Sequence, residues 1–191
     1  MKRRLTQALG GGLVFATFGC AWAEYGTYSL VPIERRWMLA VPLAIAVIMV
    51  LGLTKLQRRI EALPPELVDA AAEARDARGR KLFTVVNIGQ GIAIFLSIQV
   101  WTNLHRPEFL APTVGVIVGL HFLALARPME MPSHRVVGAL MCLLALATMI
   151  AVPSRQWWAV VVGLGNGLIL WVCYAGRLRE VLSGLARRAA S

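Results

Sequence analysis

Apolar residues gather into six runs along the chain, at about 5–24, 37–56, 82–103, 110–126, 135–152 and 157–175, each closed by charge or proline. Such runs approach the ~20 residues that carry a helix across ~30 Å of hydrocarbon at ~1.5 Å per residue. The pattern predicts an all-α integral membrane protein. It forms a single transmembrane domain over 1–191, with six transmembrane helices arranged as three sequential hairpins. The longest connection, 57–81, holds Pro64-Pro65 and then "ELVDAAAEARDARGR", rich in helix formers, with Asp76 four residues before Arg80. It reads as a helical connector at the membrane surface: either a plain charged linker or, through its alanine face, a partner-binding one.

Composition supports the same class, with 58% hydrophobic and 16% charged residues. A formal charge of +10 would suggest nucleic acid in a soluble chain. Here Lys and Arg flank the apolar runs instead, so no nucleic-acid partner is expected. Their distribution sets an orientation. Only Arg35, Arg36, Arg106 and Arg155 fall on one side, and the remaining sixteen of the 20 basic residues fall on the other. By the positive-inside rule, both termini and the connector are then cytoplasmic, in a multi-pass protein of the bacterial inner (cytoplasmic) membrane. Trp37, Trp101, Trp157 and Trp158 fall near the outer interface, where indole is favoured. The bilayer is the one partner this implies; a homo-oligomer or a partner membrane protein stays open.

The first run has two readings. "MKRR", an apolar middle and Ala21-Trp22-Ala23 before Glu24 resemble a secretory signal with its cleavage site, yet the run is long enough to remain as a helix. Cys20, Cys142 and Cys173 lie singly in three runs, with no Cys-x-x-Cys pair, and read as small packing residues.

Small residues suggest which helices pack centrally, because they let backbones approach in lipid. Gly12, Ala16, Cys20 and Glu24 recur every four residues in the first run; Gly115 and Gly119 form G-x-x-x-G in the fourth, and Gly163 and Gly167 do so in the sixth. Gly89-Gln90-Gly91 marks the third, so runs one, three, four and six are the expected interior.

Polar residues out of place in lipid are the candidate site. His121 stands about nine residues past Pro112, which at ~1.5 Å each puts it near the midplane. Asn166 is expected at similar depth, with Gln90 and Asn87 somewhat nearer the cytoplasm. These four could converge. His121 then either fixes helix register through a hydrogen bond or serves a proton or polar-solute path. Glu24 is an outer-interface carboxylate or a gate.

Enzyme readings fare poorly. No Asp lies inside a run, and neither a Gly-x-Ser-x-Gly elbow nor a phosphate-binding loop is present. His105, His121 and His134 are too spread in depth for a metal or haem site unless a symmetric dimer pairs two copies of His121, so no metal or other cofactor is expected. Gly119-Leu-His121-Phe122-Leu-Ala-Leu-Ala126, followed by a short loop and another apolar hairpin, resembles a segment of small bacterial multi-span families of unknown function. Proline is expected there where this chain has Ala124. The resemblance implies an all-helical integral membrane protein, lends weight to His121 and brings no activity. The reading is a small transporter or channel-like protein with a polar midplane cluster, or else a non-catalytic scaffold or accessory subunit.

Overall fold

A computed structural model describes residues 2–62, 70–126 and 132–189. These residues form six α-helices and no strand: α1 Lys2–Leu30, α2 Ala40–Glu61, α3 Ala70–Asn103, α4 Leu110–Ala126, α5 Pro132–Ala151 and α6 Trp158–Ala189. Short 3-10 turns at Ile33–Leu39, Pro107–Phe109 and Arg155–Trp157 lead into α2, α4 and α6. Pro42, Pro112 and Pro132 all stand in first turns, where a missing N–H breaks no helical bond. Pro64 and Pro65 of the connector lie outside the described residues, as do the side chains of Asp76 and Arg80.

Five helical stretches are long and apolar enough to cross a membrane: Ile33–Glu61, Lys81–Asn103, Pro107–Ala126, Ser133–Ala151 and Arg155–Arg187. Among the described residues, α1 supplies no such stretch. The expected separate connector helix is not separate. From Ala70 onward it is the first part of α3, whose 34 residues extend ~51 Å. Nothing between Asp76 and Lys81 stops a helix, since this stretch is built from helix formers around a single Gly79.

Helices consecutive in the chain touch, α1 with α2, α3 with α4 and α5 with α6, but the closest seams run between other pairs. The helices nearest the two ends of the chain, α1 and α6, pack antiparallel over most of their length. Gly12 faces Tyr174, Gly19 faces Gly167 and Trp171, and Gly26 faces Gly163 and Leu164. The second close seam joins α4 to α5, with Gly119 against Gly138 and Cys142, and Gly115 against Ala145. In α1 the buried positions Leu5, Leu9, Gly12, Phe15, Ala16, Gly19, Trp22, Ala23 and Gly26 alternate steps of three and four, the stripe of a helix with one buried face. A strict step of four drifts ~40° each time, which explains why Gly12 and Ala16 are buried but Cys20 and Glu24 have turned half out.

The expected interior also needs correction. Helix α3 is peripheral: it packs on α4, and Gly89 and Gly91 have nothing within 4 Å of where a Cβ would stand. Helix α5, poor in obvious small-residue motifs, is interior instead, burying Val137, Gly138, Met141, Ala145 and Thr148. A glycine seam needs a matching surface on the partner, and α4 finds that surface on α5.

Candidate functional site

Asn166 in α6 is fully buried, and neither Oδ1 nor Nδ2 has a hydrogen-bond partner. It stands against α4, with Nδ2 3.3 Å from where a Cβ on Gly115 would be. His121 lies six residues further along α4, ~9 Å away in depth, on a different helix face. Its imidazole donates to the Val86 carbonyl of α3, while Nδ1 stays unbonded. The two residues are therefore not hydrogen-bonded, and the common depth expected for them does not occur. Trp158 meets Phe109 edge-on at 5.1 Å, so α6 begins level with the turn before α4 rather than with Pro112. That offset displaces every residue of α6 relative to α4.

The remaining expected members are also dispersed. Asn87 Nδ2 donates to the Phe83 carbonyl of its own helix at 2.7 Å, and Gln90 is half-buried on α3. Glu24 is half-buried in the C-terminal part of α1, within electrostatic reach of Cys20. Among the small residues, Gly12 and Ala16 face the bundle, and Gly115, Gly119, Gly163 and Gly167 all lie in seams.

A second polar group, not expected from the sequence, lies where α4, α5, α1 and α6 meet. His134, 5% exposed, packs between Phe15 of α1 and Phe122 of α4, with ring centroids 5.5 and 5.4 Å away. Phe122 also takes His121 edge-on at 5.7 Å. The two histidines thus flank one ring. Their spread in depth, expected from chain spacing, vanishes because α4 and α5 are antiparallel: His121 is near the end of one and His134 near the start of the other. Arg177 of α6 lies within electrostatic reach of His134 and donates to Ser133 Oγ at 2.6 Å through Nη2. Its Nη1 meets Glu180 Oε2 at 3.0 Å, while Nε is buried and unbonded. The signal for Arg177 was in the spacing. Leu170, Tyr174, Arg177 and Val181 step by four, three and four along the inward face of α6, so an arginine on a seam had been counted only as a flanking charge.

The opposite end of the bundle carries an aromatic and charged clasp. Trp101 stacks on Phe109 at 4.8 Å and donates from Nε1 to Thr113 Oγ1 at 3.0 Å. Arg155 bonds Glu108 at 3.1 Å and lies over Phe109 and Trp158. Trp37 and Trp157 are 71% and 45% exposed, whereas Trp158 is buried in the clasp.

The chemistry available in the interior is that of hydrogen-bond donors and amides. No group of three His, Cys, Asp or Glu side chains able to hold a metal occurs among the described residues. Fold and site together define a class: an all-helical bundle of apolar helices, five of them of membrane-spanning length and character, with a few uncharged or basic polar groups inside. The chain belongs to a family of unknown function, DUF7010, which matches residues 68–176 and so takes in α3, α4, α5 and most of α6. No curated protein and no solved structure matches it.

Proposed function

We propose that the chain is a multi-pass protein of the bacterial cytoplasmic membrane, with both termini inside, and that its bundle acts as a small transporter or channel-like path for a polar solute. The observation that carries this reading is Asn166. An amide buried at 0% exposure with neither atom bonded costs several kcal/mol in hydrocarbon, where about 1–3 kcal/mol is the cost already met in soluble cores. A bundle that only had to hold together is better served by leucine there. His121, with Nδ1 unbonded, adds a titratable group one and a half turns away.

Reconstitution into liposomes with a panel of protons, small ions and uncharged polyols tests it. Wild type should pass one of these, and Asn166→Leu should melt higher yet lose the flux. No flux from wild type across the panel, or equal flux from both proteins, refutes the reading. Orientation is checked separately: Ala70→Cys, in a background without Cys20, Cys142 and Cys173, should react with an impermeant thiol reagent only after the cells are opened.

A scaffold or accessory-subunit role is favoured by one feature, the outward face of α3. Ile88, Ile92, Phe95 and Leu96 are 55–60% exposed on a helix that, among the described residues, packs chiefly on α4 and its own turn. Photo-crosslinking from position 92 that captures one discrete protein, rather than lipid, would move the reading there.

A further inference from the structure

At the inner end of α5, where α6 passes, lie two buried nitrogens with nothing to bond, His134 Nδ1 of α5 and Arg177 Nε of α6, on residues within electrostatic reach of one another. From them we infer that Ser133, His134 and Arg177 form a binding site for a phosphate oxyanion, supplied by an anionic lipid headgroup or as free phosphate. The site is built as well as charged. His134 is 5% exposed, held between two phenyl rings, and the Arg177 side chain is 12% exposed. Ser133 Oγ accepts from Arg177 Nη2, which leaves the hydroxyl proton directed elsewhere. An oxyanion seated here takes Arg177 Nε–H, His134 Nδ1–H and Ser133 O–H, three donors with no buried carboxylate beside them among the described residues. Glu180, the acid on the guanidinium among the described residues, is 58% exposed and so neutralises it weakly.

Two further features fit an anion. Ser133 and His134 lie in the first turn of α5, a helix of 20 residues, where free backbone N–H groups and the helix dipole favour negative charge. The depth is that of a headgroup: His134 is two residues into a helix whose ~30 Å length matches the hydrocarbon, ~3 Å inside its end. The cytoplasmic placement of this end rests on the orientation proposed above; the site itself does not require that the protein transport anything.

The test uses the purified full chain in two arms. In neutral detergent, inorganic phosphate is titrated against matched chloride while thermal unfolding is followed. In phosphatidylcholine nanodiscs, with and without phosphatidylglycerol, retained lipid is read by native mass spectrometry. Stabilisation by phosphate, retention of phosphatidylglycerol, or both is expected for wild type, and the responding arm assigns the source. Arg177→Gln should weaken that binding about tenfold, the loss of one charge-assisted hydrogen bond. Should that variant fail to fold, Ser133→Ala removes the hydroxyl donor and the acceptor of Arg177 Nη2 while Arg177 keeps its pair with Glu180, and should weaken binding several-fold. A wild type that responds in neither arm, or a folded variant that binds as tightly as wild type, overturns the site.

Discussion

Helices α6 and α3 both carry paired glycines, and the bundle uses them in opposite ways. In α6, Gly163 and Gly167 meet the backbone of α1 so closely that a Cβ on Gly163 would come 2.6 Å from Gly26 Cα, and one on Gly167 would come 3.0 Å from Gly19 O. In α3, Gly89 and Gly91 face open space. The difference lies in the partner. Gly19, Ala23 and Gly26 give α1 a flat surface spaced like that of α6, so two backbones close together along a line. No second flat surface lies beside Gly89, and α3 is held instead at two points: Trp101 with Thr113 near its C-terminal end, and Val86 with His121 near its middle. A small-residue motif marks where a helix can approach another; opposed motifs mark where it does.

The largest expected effect breaks that comparison most directly. Gly163→Ala should cost about 3 kcal/mol, at the upper end of overpacking, because the obstruction is backbone and cannot swing aside. Gly89→Ala should be neutral or gain up to about 1 kcal/mol from helix propensity alone. Unfolding in mixed micelles, read by circular dichroism, compares the two. Equal destabilisation would mean that α3 is packed as tightly as α6 and that this contrast is wrong. Gly119→Ala should rank next, at about 2 kcal/mol, since its Cβ would stand 2.5 Å from Cys142 Sγ and 2.8 Å from the Gly138 carbonyl. Part of that is recoverable: adding Cys142→Ala should restore stability if the thiol, rather than the Gly138 backbone, is the main obstacle.

What the sequence made legible follows from the same physics. Six helices could be read because apolar runs of membrane length are strong signals, and α4 occupies the expected 110–126. Pairing could not be read, because lipid and protein interior are equally apolar and nothing in a run of Leu, Val and Ile says which side meets a neighbour. α5 shows this: its single glycine in the seam, Gly138, carries no motif, yet it meets Gly119 across the interface. Depth was misread for a related reason. Counting from Pro112 and Trp157 assumed that both helices start in one plane, and the Phe109–Trp158 contact shows that they do not. The His134–Arg177 pair escaped notice because it is assembled by two helices, α5 and α6, though Arg177 on the stripe from Leu170 to Val181 was a visible exception to an apolar face.

A smaller effect sharpens the contrast between a glycine seam and a hydrogen-bonded one. Tyr174 Oη donates to the Met49 carbonyl of α2 at 2.8 Å, joining α2 to α6. Tyr174→Phe keeps the ring and removes that bond, so it should cost about 0.6 kcal/mol, the mean for interhelical hydrogen bonds in membranes. A loss above about 2 kcal/mol would show that α2 is fixed by this contact rather than by the packing of Leu53, Leu56 and Ile60.

The smallest effect concerns how α3 is hung on the bundle. His105 has φ 53°, the one non-glycine residue with positive φ among those described, and sits just past the end of α3. Its N–H bonds Thr102 O at 3.0 Å, and the N–H of Arg106 bonds Trp101 O at 2.9 Å, the paired bonds that close a helix through a left-handed residue. Histidine tolerates this conformation better than most side chains, and glycine tolerates it best. His105→Gly should therefore gain about 0.5 kcal/mol, the relief of the Cβ being partly offset by the freer unfolded chain. His105→Val should go the other way by more than about 1 kcal/mol, because a β-branched side chain resists positive φ. If the turn positions α3, the valine variant should also weaken the Trp101 clasp, seen as a red shift in tryptophan emission, while α1 and α6 keep their melting. Identical unfolding of wild type, His105→Gly and His105→Val would show that α3 takes its place from contacts along its length, and that its unopposed glycines sit against a partner after all.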